Sequence, residues 1–363
     1  MREKRGQRVT LQSIADVLGV SRTTVSNAYN RPEHLSEELL QAVFDTAERL
    51  GYSGPDPLAH KLRTGRSAAV GLVSTDSLPY AFQDEASSGF LQGVALACER
   101  AATSLLLMPL VMDREDSIAQ IDRAAVDSMI IYCIADNDRA LAAVLKRRIP
   151  VVIVDGPREV PGTDWVGLDQ IAASAETARL IAALGHREVA ILCHRLSDEV
   201  YIGNVDDRRL AEATYPVQRE RVAGFKEEFL RVTQGQGIVH IAERVVSDIA
   251  SGRAGADAIM RDFPNVTAII CTCDALAQGV MAAAGLRGLR VPEDLSVTGF
   301  DDIPSAKAAG ITTVWQPLVE KGEVAGEMLL GHPQVLGSRE HALPTRLVVR
   351  STTGPAPRRA AAA

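Results

Sequence analysis

Apolar residues first fall into a helical rhythm at Leu11, Ile14, Ala15 and Leu18, with Thr10 placed to cap the helix and Gly19 to permit a sharp turn after it. Ser21 is placed to cap a second helix reaching about Tyr29. Apolar Val25 and Ala28 stand in it among polar Arg22, Thr23, Thr24, Ser26 and Asn27. Two short helices around a tight glycine turn predict a helix-turn-helix, whose second helix enters the DNA major groove. An ordinary core hairpin has the same outline, but its second helix would not be this polar. Ser36, followed by Glu37 and Glu38, predicts a third helix carrying Leu39, Leu40, Val43, Ala47 and Leu50, ended by Gly51. Asp56 and Pro57 then open a helix of under two turns, too short to be stable alone in water. It either orders against DNA or a second subunit, or is a plain linker.

Past Ser67 the rhythm changes to continuous apolar runs alternating with helical segments. Strands are expected at Val70–Ser74, Leu105–Met108, Met129–Cys133, Val151–Asp155, Val189–Cys193, Ala268–Cys271 and Ser296–Gly299. Helices are expected near Gly89–Ala102, Asn137–Arg148, Ile171–Leu184, Arg219–Val232, Ala254–Arg261, Ala275–Gly285 and Leu318–Leu330. Such runs indicate parallel sheets covered on both faces, and their number suits two doubly wound α/β lobes better than one. Ligands of that class sit beyond the carboxyl ends of the strands, so a cleft between lobes is the expected pocket.

The helix-turn-helix, the AERLGY of Ala47–Tyr52, the PLAHKLRTGRS of Pro57–Ser67 and the strand AAVGLV after it resemble the lactose/galactose-repressor (LacI/GalR) family in order and spacing. The resemblance continues through LSEE at Leu35–Glu38, LGHREVAIL at Leu184–Leu192, RVAGF at Arg221–Phe225 and LSVTGFDDIP at Leu295–Pro304, and so spans Val9 to Val349. It implies a three-helix head with a hinge helix (1–66) and a two-lobed, periplasmic-binding-protein-like core for effector binding and dimerisation (67–353). The polar tail, 354–363, is expected to be disordered.

The resemblance also implies roles for residues. Arg22, Thr23 and Asn27 match the family's base readers, and arginine suits guanine as asparagine suits adenine. Ser21, Thr24, Ser26 and Asn30 are phosphate candidates. Leu62 matches a leucine wedged into the minor groove, and Ala59 the small residue that lets two hinge helices approach. In the cleft, Asp169 and Asp301 match effector-contacting acids, Arg221 a ligand-binding arginine, and Tyr80 and Phe82 the place of a presented aromatic. Gln316 is a further candidate contact. Cys273 stands where many relatives carry Asn, which puts the usual hydroxyl network in doubt. Asp274, opening a helix, is expected to cap it. The polar stretch 194–218 is longer than the family's usual loop and is either a lid or a solvated excursion.

Charge sharpens the division of labour. Residues up to Pro32 carry six basic side chains against Glu3 and Asp16, a net +4, so the remainder carries −11 of the total −7. A basic head on an acidic body suits a protein whose DNA affinity resides in one small module, and argues against one that coats nucleic acid throughout. Five cysteines in mostly apolar contexts read as reduced core thiols; Cys271 and Cys273 are expected on one face of a strand, with no second ligand pair for a metal. No apolar run spans a membrane, and MREKRGQR carries no signal-like core, so a cytoplasmic, nucleoid-associated protein is expected. Phosphate-loop, dinucleotide and zinc-protease motifs are absent, which sets enzymes aside, and neither metal nor cofactor is implied. Expected partners are double-stranded operator DNA, a sugar-like or nucleoside-like effector and a second copy of the chain. The alternatives are a solute-binding protein and a corepressor-dependent regulator with a non-sugar ligand.

Overall fold

A computed structural model describes residues 9–54, 67–110, 115–331 and 339–357, and the chain divides into two units, Met1–Ser67 and Ala68–Ala363. In the first, helices α1 (Leu11–Leu18), α2 (Arg22–Asn30) and α3 (Glu37–Leu50) each start at a hydroxyl cap: Thr10, Ser21 and Ser36. Thr10 and Ser13 cap reciprocally, and Gly19 turns the chain at φ 66°, a left-handed conformation that costs glycine little. Ile14, Ala15, Val25, Ala28, Val43 and Ala47 form the buried centre, with Tyr29 edge-on to Phe44 and Tyr52. The expected hinge helix, with Ala59 and Leu62, lies outside the described residues.

The second unit opens with β1 (Ala69–Ser74), α4 (Leu78–Gln83), α5 (Glu85–Arg100), β2 (Ser104–Pro109), α6 (Glu115–Arg123), β3 (Ser128–Tyr132), α7 (Arg139–Lys146), β4 (Val151–Val154) and β5 (Asp164–Gly167). The chain then crosses to a second lobe through α8 (Gln170–Ala183), β6 (Glu188–His194), β7 (Gly203–Asn204), α9 (Asp207–Ala211), α10 (Pro216–Val232) and β8 (Ile238–Arg244). That lobe continues with α11 (Ile249–Asp262), β9 (Ala268–Cys271), α12 (Asp274–Leu286), β10 (Ser296–Asp301), α13 (Pro304–Ala308) and β11 (Thr312–Trp315). Helix α14 (Leu318–Leu330) and β12 (Glu340–Ala342) return to the first lobe, and β13 (Arg346–Val348) to the second. The sheets run β12-β5-β4-β3-β1-β2 and β13-β11-β10-β9-β6-β8-β7, parallel except where β13 and β7 pair at the edges of the second. Three crossings therefore join the lobes, as a two-lobed periplasmic-binding-protein-like core requires.

Three expectations need correction. Cys271 ends β9, whereas Cys273 is the N-cap of α12, so the two do not share a strand face; the strand stops before the second thiol. The start of the tail is docked: Gly354 exchanges hydrogen bonds with Ser296, its carbonyl meets the ring of buried His186, and Ala356 N donates to Leu184 O. Backbone and hydroxyl bonds hold it, which an apolar pattern does not report. The polar stretch 194–218 is neither a lid nor a solvated loop but a packed insertion. It supplies β7 and α9, and buries Arg209 against the fully buried Glu243 of β8 through two bonds of 2.9 Å. Glu243 Oε1 also accepts from Leu196 N at 2.8 Å. Charged Glu243 and Arg244 are why β8 escaped an apolar search.

Among the described residues, no helix is long and apolar enough to cross a membrane, no acid, histidine and cysteine cluster is placed to hold a metal, and all five cysteines are free. Replacing Arg209 by Met strands a buried carboxylate and is expected to cost about 3–5 kcal/mol in urea unfolding, whereas Arg209→Met with Glu243→Met is expected to recover most of the loss.

Candidate functional site

Strand order reverses between β1 and β3 in one sheet and between β6 and β9 in the other, and at such points carboxyl ends splay to leave a crevice. Here the two crevices face each other across a cavity of about 800 Å³ of empty space, counting its opening to solvent. Thr75 and Asp76 follow β1, Cys133 follows β3 and Asp155 follows β4, while His194 and Asp301 end β6 and β10 and Cys273 and Gln316 follow β9 and β11. Cys133, Asp155 and Asp301 hold φ of 50°, 66° and 117°, backbone conformations that persist only when their surroundings over-determine them.

A continuous buried polar chain supplies that constraint. Lys321 of α14, 1% exposed, donates to both oxygens of Asp155 at 2.9 and 2.7 Å and to Gln316 Oε1. Gln316 Nε2 donates to Asp301 Oδ1 at 2.6 Å, and Arg221 Nη1 reaches the same oxygen at 3.4 Å. Arg221 also donates from Nε to Gln170 Oε1 at 2.9 Å and from Nη1 to Thr272 O at 2.6 Å, with its guanidinium 3.6 Å over the Phe300 ring. The chain thus runs from β4 of one lobe to α10 of the other. Two of its members, Gln170 and Gln316, sit on crossing segments.

Further bonds close the cleft around it. Arg195 donates from Nη2 to Thr75 Oγ1 at 2.8 Å and pairs with Asp76, Tyr80 OH donates to Ser247 O at 3.1 Å, and Arg219 pairs with Asp136 at 2.6 Å. Burial is the first cause of the shifted titration of Asp301, Tyr80, Asp76, Cys273 and His194. It pushes the Asp301 carboxyl up to about 6 although Arg221 pulls the other way, and raises the Tyr80 phenol and the Asp76 carboxyl. The Cys273 thiol is pushed up to about 12 and stays protonated, while burial and the charge of Arg195 push His194 down to about 3, so its ring is neutral.

Of the residues marked by motif position, Tyr80, Arg221, Cys273, Asp301 and Gln316 meet around this cavity. Two do not. Phe82 is 60% exposed and off the lining, and Asp169 is spent as the cap of α8, accepting from Ala172 N at 2.8 Å. Asp274 reverses its expected role. It lies inside α12, fully buried, and its carboxylate accepts instead from Ile303 N at 3.0 Å and Thr313 Oγ1 at 2.6 Å. Gly299 makes room for it, since a Cβ there would fall 2.0 Å from Asp274 Oδ1. Lining residues that motif spacing did not mark include Asp76, Asp84, His194, Arg195, Tyr215 and Gln218. Their position at or just after strand ends was the available signal for Asp76, His194 and Arg195.

On the head, Arg22 and Thr23 are exposed on the first turn of α2 and Asn27 is half-buried. Ser21 Oγ accepts from Thr24 N at 3.0 Å and lies 2.9 Å from Thr24 Oγ1, while Asn30 Nδ2 donates to Ser26 O at 2.7 Å. The phosphate candidates are therefore first of all members of the helix's own capping and bracing.

Residues 178–353 match the family model described as a periplasmic binding protein-like domain. An HTH-type transcriptional regulator of Mycobacterium tuberculosis is 42% identical over 351 residues, covering 96% of this chain and 98% of its own. Among solved structures, a LacI-family transcriptional regulator from Corynebacterium glutamicum is similar at a TM-score of 0.72 and 39% identity, over 95% of this chain and 99% of that one. The lac repressor dimer bound to operator and an anti-inducer shares the fold at a TM-score of 0.77 and 24% identity, over 96% and 100% of the two chains.

A raised carboxyl pKa favours the folded state while the group is protonated, a contribution present below the unfolded value of 3.8 and lost as pH rises through about 6. The stability of Asp301→Asn relative to the parent is therefore expected to improve by up to about 3 kcal/mol between pH 4 and 7, read from urea unfolding at each pH.

Proposed function

The chain belongs to the LacI family of transcriptional regulators, and on that premise we propose that it is a repressor, acting as a homodimer on a pseudo-palindromic operator under the control of a small effector held between its lobes. One observation carries the reading: a polar second helix and an interlobe cavity lined by polar side chains occur in the same chain. The lac repressor, of the same fold, is a dimer in its complex with operator and anti-inducer, which supports the same assembly here. Such a protein works in the cytoplasm, at the nucleoid.

On DNA, α2 lies in the major groove. Arg22 donates to guanine O6 and N7, Asn27 bonds adenine, and Thr23 takes the third contact, with Ser21, Thr24, Ser26 and Asn30 toward phosphates. Leu62 wedges the central base step and Ala59 lets the paired hinges approach, the cost of unstacking being offset by the contacts the bend allows. The division of the chain is a head with its hinge up to residue 66 and a two-lobed body after it.

In the cavity, Arg221 and Asp301 read the effector, Arg221 through Nη2, the nitrogen not bonded to Gln170, Thr272 or Asp301, and Asp301 through an oxygen not committed to Gln316. Tyr80, Gln316 and Cys273 complete the contact set, the thiol as a shape-filling neighbour. Three of the four carboxylates lining the cavity, Asp155, Asp301 and Asp76, pair with Lys321, Arg221 and Arg195, and the fourth, Asp84, caps α5, which favours a hydroxylated effector of sugar-like or nucleoside-like kind over an anion. Binding controls DNA affinity by its preference for one lobe arrangement, and only that difference in affinity shifts the balance.

Two substitutions separate the sites, both read by anisotropy of labelled operator. Arg22→Ala is expected to weaken specific binding by about 1–3 kcal/mol, with much less effect on random-sequence DNA. Arg221→Ala is expected to abolish the response of operator affinity to effector; a full response from this variant would overturn the cavity assignment.

A further inference from the structure

Donors and acceptors in the interlobe cavity are unequally committed. Asp155 is saturated by Lys321, Asp301 holds Gln316 and Arg221, and Asp76 holds Arg195. Gln218 differs. It lies in the first turn of α10, three residues before Arg221 and hence on the same helix face, and both line the cavity. Its amide oxygen is shut away from solvent and has no hydrogen-bond partner among the described residues. A buried acceptor left unpaired costs stability, and such groups in folded proteins call for an explanation.

His194 lines the same cavity from the end of β6. Its Nε2 lies 2.8 Å from Val245 O, and since a carbonyl only accepts, Nε2 carries the hydrogen. With the ring neutral, Nδ1 is left as a lone-pair acceptor. Both residues belong to the packed stretch 194–218, which is braced just before α10 begins by the Tyr215 hydroxyl, donating to Asp198 Oδ1 at 2.7 Å.

We propose that Gln218 and His194 form an acceptor pair that reads hydrogen-bond donors, hydroxyl or N–H, on the effector, in the same cavity as the Arg221 guanidinium. The specificity wall of the site is then built also by residues at the end of β6 and the start of α10, not by the motif residues alone. This assignment rests on the interlobe effector site proposed above.

The test uses the full chain and a defined panel of neutral probes: D-glucose, D-galactose, D-ribose, sucrose, adenosine and uridine. Thermal shift identifies the probes that bind, and calorimetry compares the parent with Gln218→Met, which keeps the shape and removes the acceptor. The variant is expected to melt at or above the parent's temperature without probe, and to bind the parent's best probe about tenfold more weakly. Equal affinity in the variant would overturn the acceptor assignment while leaving the effector site standing. A variant melting well below the parent would assign Gln218 a structural role and overturn it too. A panel in which nothing binds the parent would instead overturn the proposed effector class, and this assignment with it.

Discussion

Lys321 is the constraint on which the body of this protein turns. An ammonium group 1% exposed is tolerable only because Asp155 and Gln316 take its charge and its hydrogens. From there the bonding runs without a break through Asp301 to Arg221, so a side chain of the first lobe and a guanidinium of the second belong to one buried assembly. Removing one member leaves its neighbours with charge or hydrogen-bonding capacity unmet in a place that excludes water. That is why positive-φ backbone at Asp155 and Asp301 is held in the cavity lining.

The same assembly makes a regulator's geometry intelligible. Three chain crossings tether the lobes, and two of the crossing segments contribute Gln170 and Gln316 to the polar chain. Arg195 and Tyr80 add bonds along the cavity lining, and Arg219 pairs with Asp136 outside it. An occupant that bonds Arg221 and Asp301 therefore acts on groups that already couple one lobe to the other. Its effect on lobe arrangement follows from competition and reinforcement within a single network, without a separate transmission route.

Much of this was legible in the sequence where local chemistry decides. The caps at Thr10, Ser21 and Ser36 and the turn at Gly19 announced the head, and the apolar runs announced the inner strands of both sheets. Arg221 and Asp301 were legible through motif position, because the spacing of RVAGF and GFDD is itself set by the fold, and Gln316 through its place after TTVW in a crossover segment. Long-range pairing was not. Lys321 sits in a helix that reads as an ordinary amphipathic face, and its burial is decided by an aspartate 166 residues away. Asp274 reads as a cap until β10 and β11 arrive beside it, and Asp169 reads as a ligand group until its cap is seen. Charged β8 and the polar insertion hid each other, since Glu243 belongs in a core only once Arg209 is there.

The two tryptophans fall one in each lobe, Trp165 on β5 and Trp315 on β11, and so report on the lobes separately. The most direct measurement is equilibrium urea unfolding of single-tryptophan variants, Trp165→Phe and Trp315→Phe, with and without Lys321→Met. The expected result is one coincident transition from both tryptophans when Lys321 is present. With Lys321→Met, the midpoint should fall and the two reporters should separate. Coincident transitions at the unchanged midpoint after Lys321→Met would contradict a buried charge chain that fastens the lobes.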